Sequence, residues 1–232
     1  MSEKEILLTP RVVIKLVFFI VLIPMMPLII SWQWDWWEGW LYALCNILGF
    51  ILSRYLAWHK NPDLLAERGK FGQHDNTEPF DKVLSPLMGL LGGTIPIVAG
   101  LEARFGTGFQ LGTTIKLLSV LIYLSGWVLG SYALIENRFF SGMVRIQTDR
   151  GQHVIDTGPY RGVRHPGYSG ALLTYIGTPF LLNSWWSIIP IALTIVLITL
   201  RTGLEDKTLQ EKLEGYQIYT QKVRYRLIPG IW

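Results

Sequence analysis

Long apolar segments constrain the fold of this chain more than any other feature. A helix that crosses a bilayer needs about 20 mostly apolar residues. Segments of that kind cover residues 12–30, 37–58, 83–101 and 114–135, and two shorter uncharged segments follow at 168–182 and 185–200. Only 16% of the 232 residues are charged, against about 25% in soluble domains. The pattern predicts an all-α membrane protein, a multi-pass helical bundle.

The last two apolar segments leave the number of spans open. Only Asn183 and Ser184 separate them, which favours a tight helical hairpin across the membrane and about six spans in total. The alternative is a single kinked re-entrant unit, with five spans or another count. The tryptophans that follow the first segment, Trp32, Trp34 and Trp36, are typical of an interfacial aromatic belt and not of a signal-peptide cleavage site.

The distribution of positive charge predicts the orientation. With six spans, Lys and Arg gather in the N-terminus, the 59–82 loop, the 136–167 loop and the tail after residue 200, whereas the other side carries essentially Arg104. The positive-inside rule therefore places both termini and both long loops in the cytoplasm. The net charge of +4 follows from this topology. No basic stripe with interleaved aromatics stands apart from the membrane anchors, so nucleic acid is not an expected partner.

Cysteine and histidine usage argues against a metal or disulfide framework. The single cysteine, Cys45, excludes an internal disulfide and a multi-cysteine metal cage. The four histidines are scattered without metal-binding spacing. The sequence also lacks a Walker loop, a Gly-x-Ser-x-Gly elbow and a Rossmann fingerprint in the required context. We therefore expect no metal site and no doubly wound nucleotide-binding domain.

The 136–167 loop has a composition unlike that of a plain linker. Its β-prone runs at 143–148 and 153–155 flank a glycine-containing turn, which predicts a small β-hairpin. Pro166 suits the first turn of the next helix, so Arg164 and His165 are expected at a helix N-terminus, where anions are favoured. His165 as a structural cap and Arg164 as a snorkelling anchor are the alternatives.

The tail and the end of the fourth segment carry acidic candidates. Apolar residues at near-helical spacing predict an amphipathic helix over 204–223, with Gly203 as a possible break before it. Glu205 lies four residues after Arg201, on the same helical face; a solvated helix start is the alternative interpretation. Glu136 ends an apolar segment, where an ionisable side chain is a functional candidate unless it pairs with a neighbour such as Arg138.

One ordered set of motifs resembles a known family. Residues 160–168 read Tyr-Arg-Gly-Val-Arg-His-Pro-Gly-Tyr, and a hydrophobic hairpin, the acidic pair Glu205–Asp206, Leu209 and a Tyr-x-x-Tyr at 216–219 follow. This order resembles the isoprenylcysteine carboxyl methyltransferase family, whose relatives include the integral-membrane phospholipid methyltransferases. The resemblance covers roughly residues 136–232 and implies a methyltransferase catalytic region there. Residues 1–135 would form N-terminal transmembrane helices with a cytoplasmic loop at 59–82.

The resemblance implies an enzyme that uses S-adenosylmethionine in a pocket closed by the cytoplasmic loop and the C-terminal helix. The residues that it implies for cofactor binding are Gln147, His153, Val154, Ile155, Tyr160, His165, Pro166, Gly167, Tyr168 and Glu205. Arg201 matches a substrate-side arginine, and Arg164 is a second candidate for orienting the acceptor. Glu136 is a candidate to accept a proton if the acceptor is an amine, because an amine must lose a proton in the reaction.

These inferences give one leading hypothesis and two alternatives. The first is methyl transfer from S-adenosylmethionine to a carboxylate, thiol or amine on a lipidic or amphipathic small molecule at the membrane. The second is an NADPH-dependent lipid or sterol reductase, because such enzymes share a similar helical core and tail. The third is a non-enzymatic transporter or scaffold, against which the scarcity of charged residues deep in the spans argues.

Overall fold

A computed structural model describes residues 14, 17–106 and 110–232, and within these residues the regular structure is helical. A π-helical turn, Phe18–Leu22, leads into the first α-helix. The α-helices are α1 (Ile23–Ser31), α2 (Trp37–Lys60), α3 (Pro62–Gly69), α4 (Asp81–Phe105), α5 (Thr113–Glu136), α6 (Pro166–Leu181), α7 (Ile188–Lys212) and α8 (Tyr216–Lys222). The predicted class, an all-α multi-pass membrane protein, is confirmed.

The described helices differ in whether they are long enough to span a bilayer. Four of them, α2, α4, α5 and α7, meet the requirement by length and composition. The apolar stretch Phe18–Ser31 is shorter, and α6 has 16 residues. A count of six spans therefore stays a prediction. The N-terminal positive charges used to predict the orientation, Lys4 and Arg11, lie outside the described residues, as do residues 12, 13, 15 and 16 of the first apolar segment.

The centre of the bundle is a close crossing of α5 and α6 through small residues. A Cβ atom added to Gly170 would lie 2.6 Å from the backbone oxygen of Gly126 and 2.6 Å from the backbone nitrogen of Gly130. Further along α6, a Cβ atom on Gly177 would lie 2.9 Å from the backbone oxygen of Ser119. Small residues permit such contact between membrane helices. The crossing fixes the start of α6 against the end of α5.

The long polar segments meet at one end of the bundle. There the 59–82 loop binds the 136–167 loop, since Glu78 N–H donates to the Val144 carbonyl at 2.9 Å, and Lys212 at the end of α7 pairs with Glu78 at 2.7 Å. At the opposite end Lys116 pairs with the buried Glu38. The loops and the described tail thus share one face. That this face is cytoplasmic remains a prediction from the charge distribution.

Two predicted elements are wrong. The loop forms no β-hairpin; its described residues contain 3₁₀ turns at Thr148–Arg150 and Gly158–Arg161. Side chains form hydrogen bonds with backbone groups of the loop. For example, the side-chain amide oxygen of Gln152 accepts from Gln147 N–H at 2.7 Å. The separate amphipathic helix over 204–223 is also wrong, because α7 continues through Gly203 to Lys212. A helical glycine costs only about 1 kcal/mol, whereas Gly215, at φ +79°, forms the break before α8.

Candidate functional site

A cavity of about 450 Å³ lies at the polar end of the bundle. Its wall is formed by the 136–167 loop, α6 as far as Tyr175, the end of α7 and the start of α8. Residues of α3 and α4, and Phe71 just after α3, complete it. Its volume falls within the roughly 300–1,000 Å³ typical of small-molecule sites. The wall therefore combines loop and tail residues with residues of the membrane helices.

The cavity brings together most of the residues singled out in the sequence. Those that line it are Gln147, His153, Val154, Ile155, Tyr160, Arg164, His165, Gly167, Tyr168, Arg201 and Glu205. Pro166 is buried in the first turn of α6 beside the cavity but is not part of its wall. Glu136 also lies outside the wall, where it binds Lys60 and the Thr157 hydroxyl.

Glu205 and His165 present contrasting polar groups to the cavity. The Tyr168 hydroxyl donates to Glu205 Oε2 at 2.7 Å. The imidazole of His165 stacks near the Tyr168 ring, with 6.0 Å between ring centroids, and its Nε2 lies 3.2 Å from Asp206 Oδ1. Asp206 thereby orients the ring. The pair offers a carboxylate and an oriented imidazole on one wall.

Asp206, whose role the sequence analysis left unassigned, is the centre of a buried network. Its carboxylate is fully buried and accepts from Arg164 Nε at 2.7 Å and Nη2 at 2.9 Å. It also accepts from Arg226 Nε at 2.9 Å and the Tyr216 hydroxyl at 3.0 Å. Burial by itself would lower the pKa of Arg164, but the hydrogen bonds and charge of Asp206 raise it above its ordinary value.

Arg164 holds the tail against the start of α6. Its Nη1 donates to the carbonyls of Val223 and Arg224, both at 2.8 Å. Its own backbone N–H donates to the Tyr225 carbonyl at 2.9 Å. The guanidinium nitrogens are therefore occupied within the protein. This geometry gives Arg164 a structural part in building the wall.

Arg201 is likewise held by a carboxylate. Its Nε and Nη2 donate to the two oxygens of Asp81, at 2.6 and 2.8 Å. Asp81 is fully buried and also accepts from Val144 N–H at 2.6 Å. Asp81 could not be singled out from the sequence, because an aspartate at the start of α4 has no motif around it. The pair links α4, α7 and the loop behind the cavity.

Two further contacts hold the loop and α8 in place. Arg145 is buried and pairs with Glu67 at 2.6 Å and with Asp149 at 2.8 Å; its hydrogen bond lowers the pKa of Asp149. The Tyr219 hydroxyl donates to the Tyr160 carbonyl at 2.6 Å. Burial raises the pKa of Tyr160, so its phenol stays neutral in the wall. The loop and α8 are thus both held to neighbouring parts of the protein.

Taken together, the fold and site define a helical membrane protein with a ligand cavity at the end where its loops and described tail meet. Residues 108–215 match the family model described as phospholipid methyltransferase. The matched part contains α5, the loop, α6 and α7. This part of the chain is therefore similar to a family of membrane methyltransferases.

Two curated rice proteins, from Oryza sativa subsp. indica and Oryza sativa subsp. japonica, are also similar to the chain. Both are named probable protein-S-isoprenylcysteine O-methyltransferase and are 31% identical to it over 114 residues. The alignment covers 47% of this chain and 59% of each relative, so the chain spans about three fifths of the length of these relatives. The resemblance inferred from the residues is thus confirmed.

Proposed function

We propose that the protein transfers a methyl group from S-adenosylmethionine to a lipidic or amphipathic small molecule at the membrane. The observation that carries this proposal is the set of residues that together line the cavity. Glu205 and His165, from the part that matches the methyltransferase family, share the wall with Met88 and Gly89 of the membrane helix α4. A water-soluble donor and an apolar acceptor could meet in such a cavity.

The groups in the wall suit this cofactor. Glu205 is an acceptor for an ammonium group or a ribose hydroxyl, and His165 suits a carboxylate or an adenine edge. The rings of Phe139 and Tyr216 also line the cavity and suit an adenine face or a positively charged sulfonium. When bound, S-adenosylmethionine supplies an electrophilic methyl group on that sulfonium.

The contribution of the protein to this reaction is alignment and exclusion of water. In-line displacement at carbon requires the acceptor atom to be held behind the methyl group, and such positioning can be worth about 7–11 kcal/mol. A carboxylate or thiolate acceptor needs no base. Glu136 lies off the wall and is paired with Lys60, which favours an acceptor that reacts as an anion over an amine. The buried wall favours this reaction because opposite charges are neutralised during transfer.

The membrane side of the cavity supplies a path for the acceptor. Gly89 lines the cavity and is exposed, and a Cβ atom added there would meet no atom within 4 Å. Tyr175 of α6 also lines this region. We propose that the hydrocarbon part enters sideways here from the bilayer, while the cofactor enters from the cytoplasmic face predicted by the charge distribution.

The test is isothermal titration of detergent-solubilised protein with S-adenosylhomocysteine, and with NADPH in parallel. We expect S-adenosylhomocysteine alone to bind. Glu205→Gln should weaken its binding at least about tenfold, since hydrogen bonds to charged groups are worth about 1.5–3 kcal/mol. The control is Glu211→Gln, on the same helix but exposed and outside the cavity. Binding of NADPH alone would overturn the proposal in favour of a reductase, and binding of neither by folded protein would favour a non-enzymatic role.

A further inference from the structure

Arg68 differs from the other arginines in the cavity wall. Arg145, Arg164 and Arg201 each bind a carboxylate at 3.0 Å or less. Arg68, at the end of α3, lines the same cavity, yet within the described part of the chain it forms no ion pair with a carboxylate. Among the four arginines of this wall, Arg68 is therefore the one whose positive charge no described carboxylate neutralises.

The local environment of Arg68 is poor for an isolated cation. Its Nη1 donates to the Phe140 carbonyl at 3.2 Å, and its guanidinium carbon lies 5.4 Å from the centroid of the Phe140 ring. A guanidinium has five N–H donors, so this contact leaves donors for a ligand. Burial and the nearby charge of Arg201 lower the pKa of Arg68. An anion bound here would relieve both effects.

The wall around Arg68 includes residues that lie outside the part of the sequence that matches the methyltransferase family. Phe71, Ser85, Met88 and Gly89 line the cavity from the same N-terminal half of the chain, all outside the matched residues 108–215. Phe71 and Met88 are apolar, and Gly89 leaves open space beside them. These residues therefore combine one cation with apolar side chains and open space, as an anionic amphiphile requires.

We infer that Arg68 is a specificity-determining residue that binds an anionic group, a carboxylate or a phosphate, on the acceptor. The inference rests on the proposed methyl transfer and adds to it the residue that selects the acceptor. Glu205, within the matched residues, supplies the negative group suited to the ammonium of the cofactor. Arg68 supplies a positive group from the part of the wall that also contains Phe71, Met88 and Gly89.

The experiment uses three probes with one farnesyl tail, titrated into protein saturated with S-adenosylhomocysteine in neutral detergent. The probes are N-acetyl-S-farnesylcysteine, its neutral carboxamide, and farnesyl phosphate. We compare wild type with Arg68→Met, which removes the charge, and Arg68→Lys, which keeps it. The control is Arg138→Met, since Arg138 is an exposed partner of Asp63 outside the cavity wall.

We expect wild type to bind at least one anionic probe about tenfold or more tightly than the carboxamide. Arg68→Met should reduce this preference to twofold or less with less than threefold change in the S-adenosylhomocysteine Kd, and Arg68→Lys should keep part of it. The preferred anion distinguishes carboxylate from phosphate. No preference in wild type, or a preference that survives in Arg68→Met, would overturn the inference.

Other outcomes separate this inference from the proposed function. If Arg68→Met weakened the binding of S-adenosylhomocysteine as much as that of the probes, Arg68 would be assigned to the cofactor. Its role in acceptor selection would then be overturned. Failure of wild type to bind S-adenosylhomocysteine would instead refute the proposed donor, and the anion preference would then be measured without it. If Arg68→Met melts more than a few degrees below wild type, Arg68→Gln, which also removes the charge, replaces it with the same expected result.

Discussion

Replacing Asp206 with asparagine should destabilise the protein because one carboxylate holds the tail, α6 and α7 together. It accepts from Arg164, Arg226 and Tyr216, and its side chain is fully buried. Asparagine has nearly the same shape but carries no charge and offers one oxygen instead of two. The variant therefore leaves the buried guanidinium of Arg164 without a counter-charge.

The expected loss follows from the cost of an unpaired buried charge. Removing one partner of a buried ion pair costs about 3–5 kcal/mol. Asparagine keeps one acceptor oxygen, and Arg164 keeps its bonds to two backbone carbonyls, so we take the lower end, about 3 kcal/mol. For a chain of this size each 1 kcal/mol shifts Tm by about 2–4 °C, which gives a decrease of about 6–12 °C.

Thermal unfolding in detergent, followed by tryptophan fluorescence, measures this decrease. Limited trypsin digestion gives a second readout, because the Arg164 and His165 N–H groups hold the tail through the carbonyls of Tyr225 and Arg226, both at 2.9 Å. The exposed Glu211→Gln variant is the control and should melt within about 1–2 °C of wild type. The reasoning is refuted if Asp206→Asn melts equally close to wild type and its tail stays resistant to trypsin.

Three other substitutions test the packing, the acceptor path and the titration of the wall. Gly170→Ala should cost about 1–3 kcal/mol, because its methyl group would meet the α5 backbone, whereas Gly93→Ala in α4, whose methyl group would lie 3.8 Å from the Ile23 side chain, should not lower Tm. Gly89→Phe should raise the KM of an acceptor at least tenfold without changing S-adenosylhomocysteine binding, and an equal loss of both would contradict a separate acceptor path. Burial raises the pKa of Tyr160, so the folded chain keeps this proton when the unfolded chain releases it near pH 10. The free energy of unfolding should thus fall as pH rises above about 10 and fall less steeply in Tyr160→Phe; identical slopes would contradict this.

Residues whose role depends on a local pattern could be predicted from the sequence. The apolar segments gave the bounds of α2, α4 and α5 to within a few residues, because each segment must satisfy the bilayer by itself. The motif around His165 and the acidic residue Glu205 predicted two groups that the structure brings to one cavity. Their roles in binding remain proposals.

Residues whose role depends on distant partners could not be predicted in this way. Asp81 lies 120 positions before Arg201, and Asp206 lies 42 positions after Arg164, so no local spacing indicates either pair. The β-hairpin predicted from the β-prone runs of the 136–167 loop is wrong for a related reason. Their backbone groups bind side chains such as Gln152 instead of a neighbouring strand.

The sequence by itself determined the class of this protein, because the cost of a polar group in a bilayer acts on each segment independently of the rest of the chain. It also carried the motifs that connect residues 108–215 to the methyltransferase family. Only the tertiary structure decided which cations are neutralised and which remain for a ligand. Ion pairing depends on separation in space, and folding gave carboxylate partners to Arg164 and Arg201 but not, among the described residues, to Arg68.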